Sequence, residues 1–401
     1  MALRPSADFD APRFWALVAL GGAVLVAGLG AAHVMEVEGH VVTGMDNQVV
    51  WGLPHVFAIF LIVVASGVLN VASIGTVFGR AIYKARGALS GLLSLATLAG
   101  GLTVLMLDLG RPDRVVVAAT RYNFRSVFAW NVFLYSGLAA LVVVYLWTML
   151  ERRMKRYARP VGLAAFVWRL VLTTGTGSIF AFLVARQAYA SAVLAPLFIV
   201  LSFAWGLAVF VIVEAALNAW NATSLHPAIV SRMRSLLGLF VVASLYFVAI
   251  YHVTNLYFAR QVAFERFILV DGGVFPWLFW VGYAVIGGVL PLLLVWLPKR
   301  ESGRALLAAS ALTAAGGFAL LYVFIIGGQS FPLEIFPGFA ARSTFGDGAT
   351  AHYAPSVWEA LLGCGGLAAA FLITLVGVRV FDFVPHDDTR ALEAAVAGGK
   401  A

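Results

Sequence analysis

Long apolar runs separated by short polar stretches dominate the pattern of this chain. They lie at about residues 14–35, 51–78, 88–108, 126–149, 161–185, 193–218, 235–257, 274–298, 305–327 and 355–380. At a helical rise of about 1.5 Å per residue, each run is long enough to cross about 30 Å of hydrocarbon. The pattern predicts an all-α, polytopic integral membrane bundle of about ten transmembrane helices.

Composition supports a membrane protein and excludes several other classes. Hydrophobic residues make up 62% of the 401 residues and charged residues only 11%, whereas soluble domains are about a quarter charged. The net charge of +8 is spread over short loops and builds no basic face, which argues against nucleic-acid binding. Cys364 is the only cysteine, which excludes an internal disulfide, a cysteine-ligated iron–sulfur cluster and a thiolate zinc site. No bound metal is expected.

Loop charges predict the orientation of the bundle. Roughly two thirds of the 27 Lys and Arg residues fall on the side that holds both termini, and an excess of positive charge marks the cytoplasmic side. The loop 150–160 is the most basic. The first apolar run lacks a small-residue cleavage site and is expected to remain as a span. We therefore expect a multi-pass protein of the cytoplasmic (inner) membrane with both termini in the cytoplasm.

The order of the runs suggests three parts. We expect a first four-helix bundle over 1–150, a second over 151–300, and two extra helices with a long outer loop and a cytoplasmic tail over 301–401. The outer loop 328–354 is rich in aromatic residues and proline, so it should resist helix formation. It could pack back onto the bundle or receive a partner.

Polar residues at the outer ends of the first four spans form the first candidate site. Ionisable groups at membrane depth are costly and therefore indicate function. A bundle would gather these groups around one pocket at one depth; they are His33, His55, Asp108, Trp130, Asn131 and Tyr135. The turn from Asp108 to Arg114 could equally be a well-anchored connection, and either histidine could be a simple interfacial residue.

A quinone would suit such a pocket. Its site needs an apolar slot open to lipid, hydrogen-bond donors at both oxygens and a titratable group leading to water. We predict catalytic roles for His55, Asp108 and Tyr135, because a histidine titrates near neutrality and a carboxylate can orient it. Residues expected to contact the quinone are His33, Arg111, Trp130 and Asn131.

A second polar set lies in the later spans. Arg169 of the fifth span should reach Glu214 of the sixth from the same side of the membrane, giving a buried ion pair. Three threonines share the helix of Arg169, at 173, 174 and 176, and His252 lies in the outer half of the seventh span. This set could be a proton path, or the ion pair could be purely structural.

Two other functions stay open. A b-type haem needs two histidines on facing helices, and within the first group His33 and His55 are the only plausible pair, with His252 the only deep histidine later. A secondary transporter should show matched helix breaks in its two halves. The glycines Gly175 and Gly177 interrupt the fifth span without an evident counterpart.

Several motifs resemble the NrfD/PsrC family, the membrane subunits of polysulfide reductase and related enzymes. The most specific is the turn Asp108-Leu109-Gly110-Arg111-Pro112-Asp113-Arg114, and others are residues 44–55, 71–74 and 128–131. Residues 168–170 and 173–178 are most similar to DsrP-type subunits of sulfur-metabolism complexes. The resemblance implies an exchangeable quinone or menaquinone near the periplasmic face. It also implies a periplasmic four-cluster, ferredoxin-like iron–sulfur partner and further redox subunits, such as a multihaem cytochrome or a catalytic subunit.

Overall fold

The computed structural model describes residues 11–297, 302–332, 348–381 and 383–385. Within them, ten helical segments are long and apolar enough to cross a membrane, and no β-strand occurs. We number them α1 to α10: Ala11–Val37, Leu53–Thr76, Gly87–Leu107, Val127–Leu150, Ala158–Ala181, Leu194–Trp220, Pro227–Tyr257, Val274–Trp296, Gly303–Ser330 and Val357–Val380. The predicted polytopic helical bundle is confirmed.

The connections between these helices lie on two faces of the bundle. One face carries residues 38–52, 108–126, 182–193 and 258–273, and we call it the histidine face. The opposite face carries residues 77–86, 151–157 and 221–226, and we call it the basic face. Two short helices, Val115–Thr120 and Val262–Arg266, lie on the histidine face. Which face is cytoplasmic stays a prediction.

Helix α2 is the most enclosed span and lies at the centre of the bundle. It packs against α3, α5, α6, α9 and α10. Its approach to α6 requires glycine on both helices, because a Cβ added at Gly206 would lie 2.1 Å from the carbonyl carbon of Gly67. Small residues allow such close backbone contact between membrane helices. Helix α2 thus runs through the centre of the bundle from the histidine face to the basic face.

Helix α1 packs against α10 rather than joining the helices that follow it in sequence. Gly28 and Gly365 meet at this contact, where a Cβ on Gly28 would lie 2.7 Å from the Cα of Gly365. Helix α10 in turn packs on α3 and α2. Packing thus crosses the boundaries expected near residues 150 and 300, and the three-part division of the chain stays a prediction.

Three segments are π-helical, a form that is rare and often marks functional sites. They are Phe267–Asp271 before α8, Leu278–Val289 within α8 and Val323–Gly327 within α9. Most of the loop expected over 328–354, and the tail from residue 387, lie outside the described residues. Residues 328–330 continue α9 by one turn.

Candidate functional site

The structure brings His55 and Asp108 together on the histidine face. His55 lies in the first turn of α2, which begins at Leu53 with Pro54 next to it, a residue favoured at helix starts. Asp108 follows the last residue of α3. The Nδ1 of His55 lies 2.7 Å from Oδ2 of Asp108, and the carboxylate side chain is 1% exposed. This is the geometry of a carboxylate that orients an imidazole.

A second histidine, which the sequence did not indicate, completes the arrangement. His40 lies in the short 3₁₀ turn His40–Val42, and its Nε2 is 3.1 Å from the Asp108 carbonyl oxygen and 3.7 Å from Oδ1. Gly110, at φ +68°, lets the chain turn beneath the His40 ring. The His40 side chain is 33% exposed. His55, Asp108 and His40 therefore form a connected series, in which the buried carboxylate lies between two partly exposed histidines.

Electrostatics favours a charged contact between Asp108 and His40. Burial would raise the pKa of Asp108, but the hydrogen bonds and charge interactions with His40 and His55 together outweigh burial and hold that pKa below its ordinary value. The side-chain hydrogen bond with Asp108 raises the pKa of His40, against the opposing effect of burial. Asp108 is thus set up as an anion and His40 as a group that readily carries a proton.

A cavity of about 450 Å³ lies beside His55, between α2, α3, α4 and α5. Two lining residues, Met106 of α3 and Val132 of α4, are 44% and 36% exposed on the surface of the bundle. The cavity therefore opens at the side of the bundle, between α3 and α4. Its walls are mostly apolar, and the polar exceptions are His55, Asn131, Tyr135 and Ser136.

Asn131 and Tyr135 stand one turn apart on the cavity side of α4, and both are buried. The Asn131 amide donates to the Val127 carbonyl at 2.8 Å, while its Oδ1 has no hydrogen-bond partner among the described residues. An unsatisfied buried acceptor is costly. Together with His55, these two residues give the cavity polar groups on opposite walls.

Trp51 forms part of the cavity wall and packs on His55. Their rings lie 5.9 Å apart with an interplanar angle of 28°. The Gln329 side chain holds the Trp51 backbone: its Oε1 accepts from Val50 N and Trp51 N at 3.0 Å each, and its Nε2 donates to the Trp51 carbonyl at 2.9 Å. The end of α9 thus fixes a wall of the site, which the sequence did not indicate.

Three residues predicted to contact the quinone stand elsewhere. His33 is exposed on α1, which packs on α10. Trp130 is 48% exposed, and its indole donates to the Phe124 carbonyl at 2.9 Å. Arg111 pairs with Asp113 at 3.1 Å on the surface, with side chains 64% and 59% exposed. None of the three lines the cavity.

The predicted Arg169–Glu214 ion pair is wrong. Glu214 pairs instead with Arg86, with Nε and Oε1 2.7 Å apart and both side chains 0% exposed. Arg86 was not singled out from the sequence. Arg169 is fully buried, with its guanidinium 4.7 Å from the Phe166 ring centroid and 5.1 Å from that of Phe203. Depth along a helix does not fix which way a side chain points around it.

A second histidine–carboxylate pair lies farther along the histidine face. The Nδ1 of His252 is 2.6 Å from Oε2 of Glu265, and the Asn255 amide donates to Oε1 at 2.7 Å. The Glu265 side chain is 0% exposed and that of His252 is 12% exposed. A cavity of about 30 Å³ adjoins His252. Glu265 was not singled out from the sequence.

A third space, of about 360 Å³, lies toward the basic face between α1, α2, α3, α6 and α10. Its lining is apolar apart from Thr97 and Thr374. Both hydroxyls donate back to carbonyls of their own helices, at 2.7 Å and 2.8 Å. This groove offers hydrocarbon contact but no titratable group. Among the described residues, no group of three or more His, Cys, Asp or Glu could hold a metal ion.

Comparison with known proteins places the chain in a family. The family model described as "Polysulphide reductase, NrfD" matches residues 41–333, which is most of the chain. The Hdr-like menaquinol oxidoreductase integral membrane subunit of Archaeoglobus fulgidus is 29% identical over 391 residues, covering 96% of this chain and 97% of the relative.

Two further relatives agree. The putative dimethyl sulfoxide reductase membrane subunit of Halobacterium salinarum is 27% identical over 89% of this chain and 88% of its own length. Protein NrfD of Escherichia coli is 27% identical over 71% of this chain and 96% of its own length. The matched region includes His55, Asp108 and the cavity between α2 and α5. The chain belongs to the polysulphide reductase NrfD family.

Proposed function

We propose that this protein is the quinone-reactive membrane subunit of a respiratory or sulfur-metabolism oxidoreductase complex. The observation that carries the proposal is the His55–Asp108 pair on the wall of a 450 Å³ cavity that opens at the side of the bundle. The name of the Archaeoglobus relative, a menaquinol oxidoreductase integral membrane subunit, supports the same class of substrate. A menaquinone-type quinone is the expected exchangeable substrate.

The cavity suits a quinone in size and polarity. Small-molecule pockets usually span about 300–1,000 Å³ and combine apolar walls with a few polar groups. The ring would lie between Trp51 and the α4 wall, and the opening beside Met106 would pass the isoprenoid tail into lipid. Tyr135 can donate to one quinone oxygen, and the Asn131 Oδ1 can accept from that oxygen when it is the hydroxyl of the quinol. His55 would meet the other oxygen.

The titratable groups provide a route for protons. Oxidation of a quinol releases two electrons and two protons, and reduction of a quinone takes up both. His55 has its Nδ1 against Asp108, so Nε2 is the nitrogen that can accept a proton in the cavity. The Asp108 carboxylate stabilises the resulting imidazolium, and His40 leads on to the aqueous surface. The electrons pass to, or come from, a redox centre of a partner protein.

The partner and orientation follow from the same proposal. The histidine face would be periplasmic, both termini cytoplasmic, and the membrane the inner membrane. A periplasmic four-cluster iron–sulfur subunit would dock on the histidine face, with a multihaem cytochrome or catalytic subunit farther out. The names of two relatives as membrane subunits of larger enzymes support a multisubunit setting. The DsrP-type identity and the link to sulfur metabolism stay predictions.

A proton path across the bundle is a further part of the proposal. Arg169, Thr173 and Thr176 recur at i, i+4 and i+7 and so share one face of α5. The Ser66 hydroxyl of α2 lies 3.0 Å from the Thr173 hydroxyl, and the Arg169 Nη1 donates to the Ser66 carbonyl at 3.5 Å. The Arg86–Glu214 pair joins α6 to the residue that precedes α3, near the basic face. These groups could lead protons from that face toward the cavity.

Binding of menaquinone carrying one isoprene unit to the purified full-length chain tests the quinone site. Ala139→Trp, which places an indole in the cavity, should weaken binding by about tenfold or more, because the indole takes the volume that the quinone ring would occupy. Ala216→Trp is the matched control, because Ala216 lines the groove toward the basic face. Loss of binding in the Ala216 variant alone would place the quinone in that groove and reject the proposed site.

A further inference from the structure

The His252–Glu265 pair must carry a proton to remain neutral. A fully buried carboxylate is expensive unless its charge is compensated. The proton can reside on either partner, as an imidazolium beside a carboxylate or as a neutral imidazole beside a carboxylic acid. In the part of the chain that the structure describes, His252 is the only basic side chain in contact with Glu265. The adjacent Arg266 pairs with Asp271 on the surface instead.

Several tyrosines are among the titratable groups around the pair. The Tyr251 hydroxyl donates to the Ala188 carbonyl, and the Tyr189 hydroxyl donates to the Ile325 carbonyl at 2.7 Å. Tyr283 of α8 stands beyond Phe279, with their rings 6.1 Å apart, and Phe279 packs on His252 at 4.7 Å. A tyrosine is neutral at ordinary pH. The His252–Glu265 pair therefore differs from these tyrosines in that it holds a proton shared between an imidazole and a carboxylate.

The pair is placed to exchange that proton with water. Glu265 belongs to the short helix Val262–Arg266 on the histidine face. His252 lies in the second-last turn of α7, and its side chain is 12% exposed while Glu265 is closed off. His252 is therefore the member of the pair through which a proton can enter or leave.

A continuous series of rings joins this pair to the cavity beside His55. We call it the aromatic chain, and its ring centroids are 5.6 Å apart for Trp51–Phe180, 5.0 Å for Phe180–Phe324 and 6.2 Å for Phe324–Tyr251. Its ends contact the two histidines, at 5.9 Å for Trp51–His55 and 5.0 Å for Tyr251–His252. Packed side chains of this kind can carry coupling between sites.

The π-helical segment Val323–Gly327 is a wall shared by both sites. Ile325 lines the 450 Å³ cavity, while Val323 and Phe324 line the 30 Å³ cavity beside His252. The other two π-helical segments contribute Ile268 and Phe279 to that small cavity. Because interiors are close-packed, the small cavity is the place where this wall can shift when the large cavity is filled.

We propose that His252 and Glu265 form a second proton-binding site, whose protonation changes when the cavity beside His55 is filled. The proposal rests on the proposed function, in that a quinone is the occupant of that cavity. Binding linkage is reciprocal, so protonation of the second site also changes the affinity of the cavity. The second site binds protons and has no room for a quinone ring.

Calorimetric titration of the full-length chain with the one-isoprene menaquinone, in two buffers of different ionisation enthalpy, counts protons exchanged per quinone bound. Wild type should exchange a measurable fraction of a proton near neutral pH. Glu265→Gln should reduce that exchange to less than half. Phe324→Leu should do the same, because it interrupts the aromatic chain while leaving both histidine–carboxylate pairs intact. Asp271→Asn is the control carboxylate on the same face and should leave the exchange at the wild-type value.

The outcomes separate this inference from the proposed function. Quinone binding with the same proton exchange in wild type and in both variants would overturn the second site while leaving the quinone site intact. Failure of wild type to bind the quinone would reject the proposed function and this inference with it. Circular dichroism and the unfolding temperature identify a variant that fails to fold; Glu265→Asp, which keeps a carboxylate, should then retain the exchange at a shifted pH.

Discussion

Two histidine–carboxylate pairs on one face of the bundle have the same contact geometry but different surroundings. His55–Asp108 and His252–Glu265 have N–O distances of 2.7 Å and 2.6 Å, and their carboxylates are 1% and 0% exposed. The first faces a cavity of about 450 Å³ and the second a cavity of about 30 Å³. The histidine–carboxylate contact alone therefore does not distinguish a quinone-binding site from a proton-binding site.

The surroundings provide the distinction. Asp108 has a second histidine, His40, that leads to water, whereas the second oxygen of Glu265 is held by the Asn255 amide. Under the proposed function, the larger cavity would receive the quinone ring, and its protons would leave through His40. The smaller one leaves room only for movement of its walls. Space beside a titratable pair, more than the pair itself, indicates where a substrate binds.

Breaking the Arg86–Glu214 pair should have the largest effect, on stability. The pairs Arg86–Glu214, His55–Asp108 and His252–Glu265 all contain a buried carboxylate. If burial alone set their contribution to stability, breaking each pair should lower the unfolding free energy equally. Glu214→Ala removes the carboxylate beside the buried Arg86 guanidinium and should cost about 3–5 kcal/mol of unfolding free energy. Asp108→Asn, which keeps the shape of the side chain near the surface, should cost clearly less. Denaturant unfolding in detergent measures both; equal losses would mean that the histidine pairs are also mainly structural.

Removing His55 should have the largest effect on turnover. Loss of a general acid–base group slows a reaction by about 100-fold or more, so His55→Ala should lower quinol turnover of the assembled complex by this factor. His252→Ala should cost about tenfold at most, since that histidine reaches the cavity only through the aromatic chain. His33→Ala, on α1, is the control. Equal losses of turnover in His55→Ala and His252→Ala would contradict the assignment of different roles to the two pairs.

Gln329 offers a smaller effect that also separates the two sites. Gln329→Ala removes the acceptor of the Val50 and Trp51 amide N–H groups, at a cost of about 1–3 kcal/mol. Quinone affinity should fall several-fold, because the wall beside His55 loosens. The infrared signature of the Glu265 carboxyl should stay unchanged in the absence of quinone. A change at Glu265 with normal quinone affinity would contradict this assignment of Gln329 to the first site.

His40 should give the smallest effect, visible as a pH dependence. Its pKa is raised by Asp108 in the folded protein, so its contribution to stability is complete below the unfolded value of about 6.5 and is lost as pH rises through the folded value. The lowered pKa of Asp108 keeps that carboxylate charged in the same window. The stability difference between wild type and His40→Gln should shrink from pH 6 to pH 9. A difference that grows with pH would contradict the contact.

Much of the fold could be predicted from the sequence, because hydrophobic length is a one-dimensional property. The ten apolar runs correspond to the ten helices, and His55 and Asp108 were expected at one level because each lies at the same end of its span. Rotation about a helix was harder to predict. Trp130 and Asn131 are neighbours in sequence, yet about 100° of helix rotation sends one toward lipid and the other into the cavity.

Partners brought together from distant parts of the chain could not be predicted. Nothing in the sequence near Glu214 points to Arg86, which precedes α3 and lies 128 residues earlier in the chain. Helix α1 adjoins α10 through glycines that no periodic pattern distinguishes. His40 lay in a polar loop whose course depends on Gly110 and on the end of α3. Such contacts depend on the order of helices in space, which a single sequence does not contain.

Photolabelling of the protein in its native membrane with an azido derivative of menaquinone tests the central claim most directly. Mass spectrometry of the labelled peptides reports where the ring binds. The account predicts label between Trp51 and Ile59 and between Phe128 and Ala139, the two walls of the cavity, and loss of that label in Ala139→Trp. Label confined to the groove toward the basic face, or to the residues around His252, would contradict it.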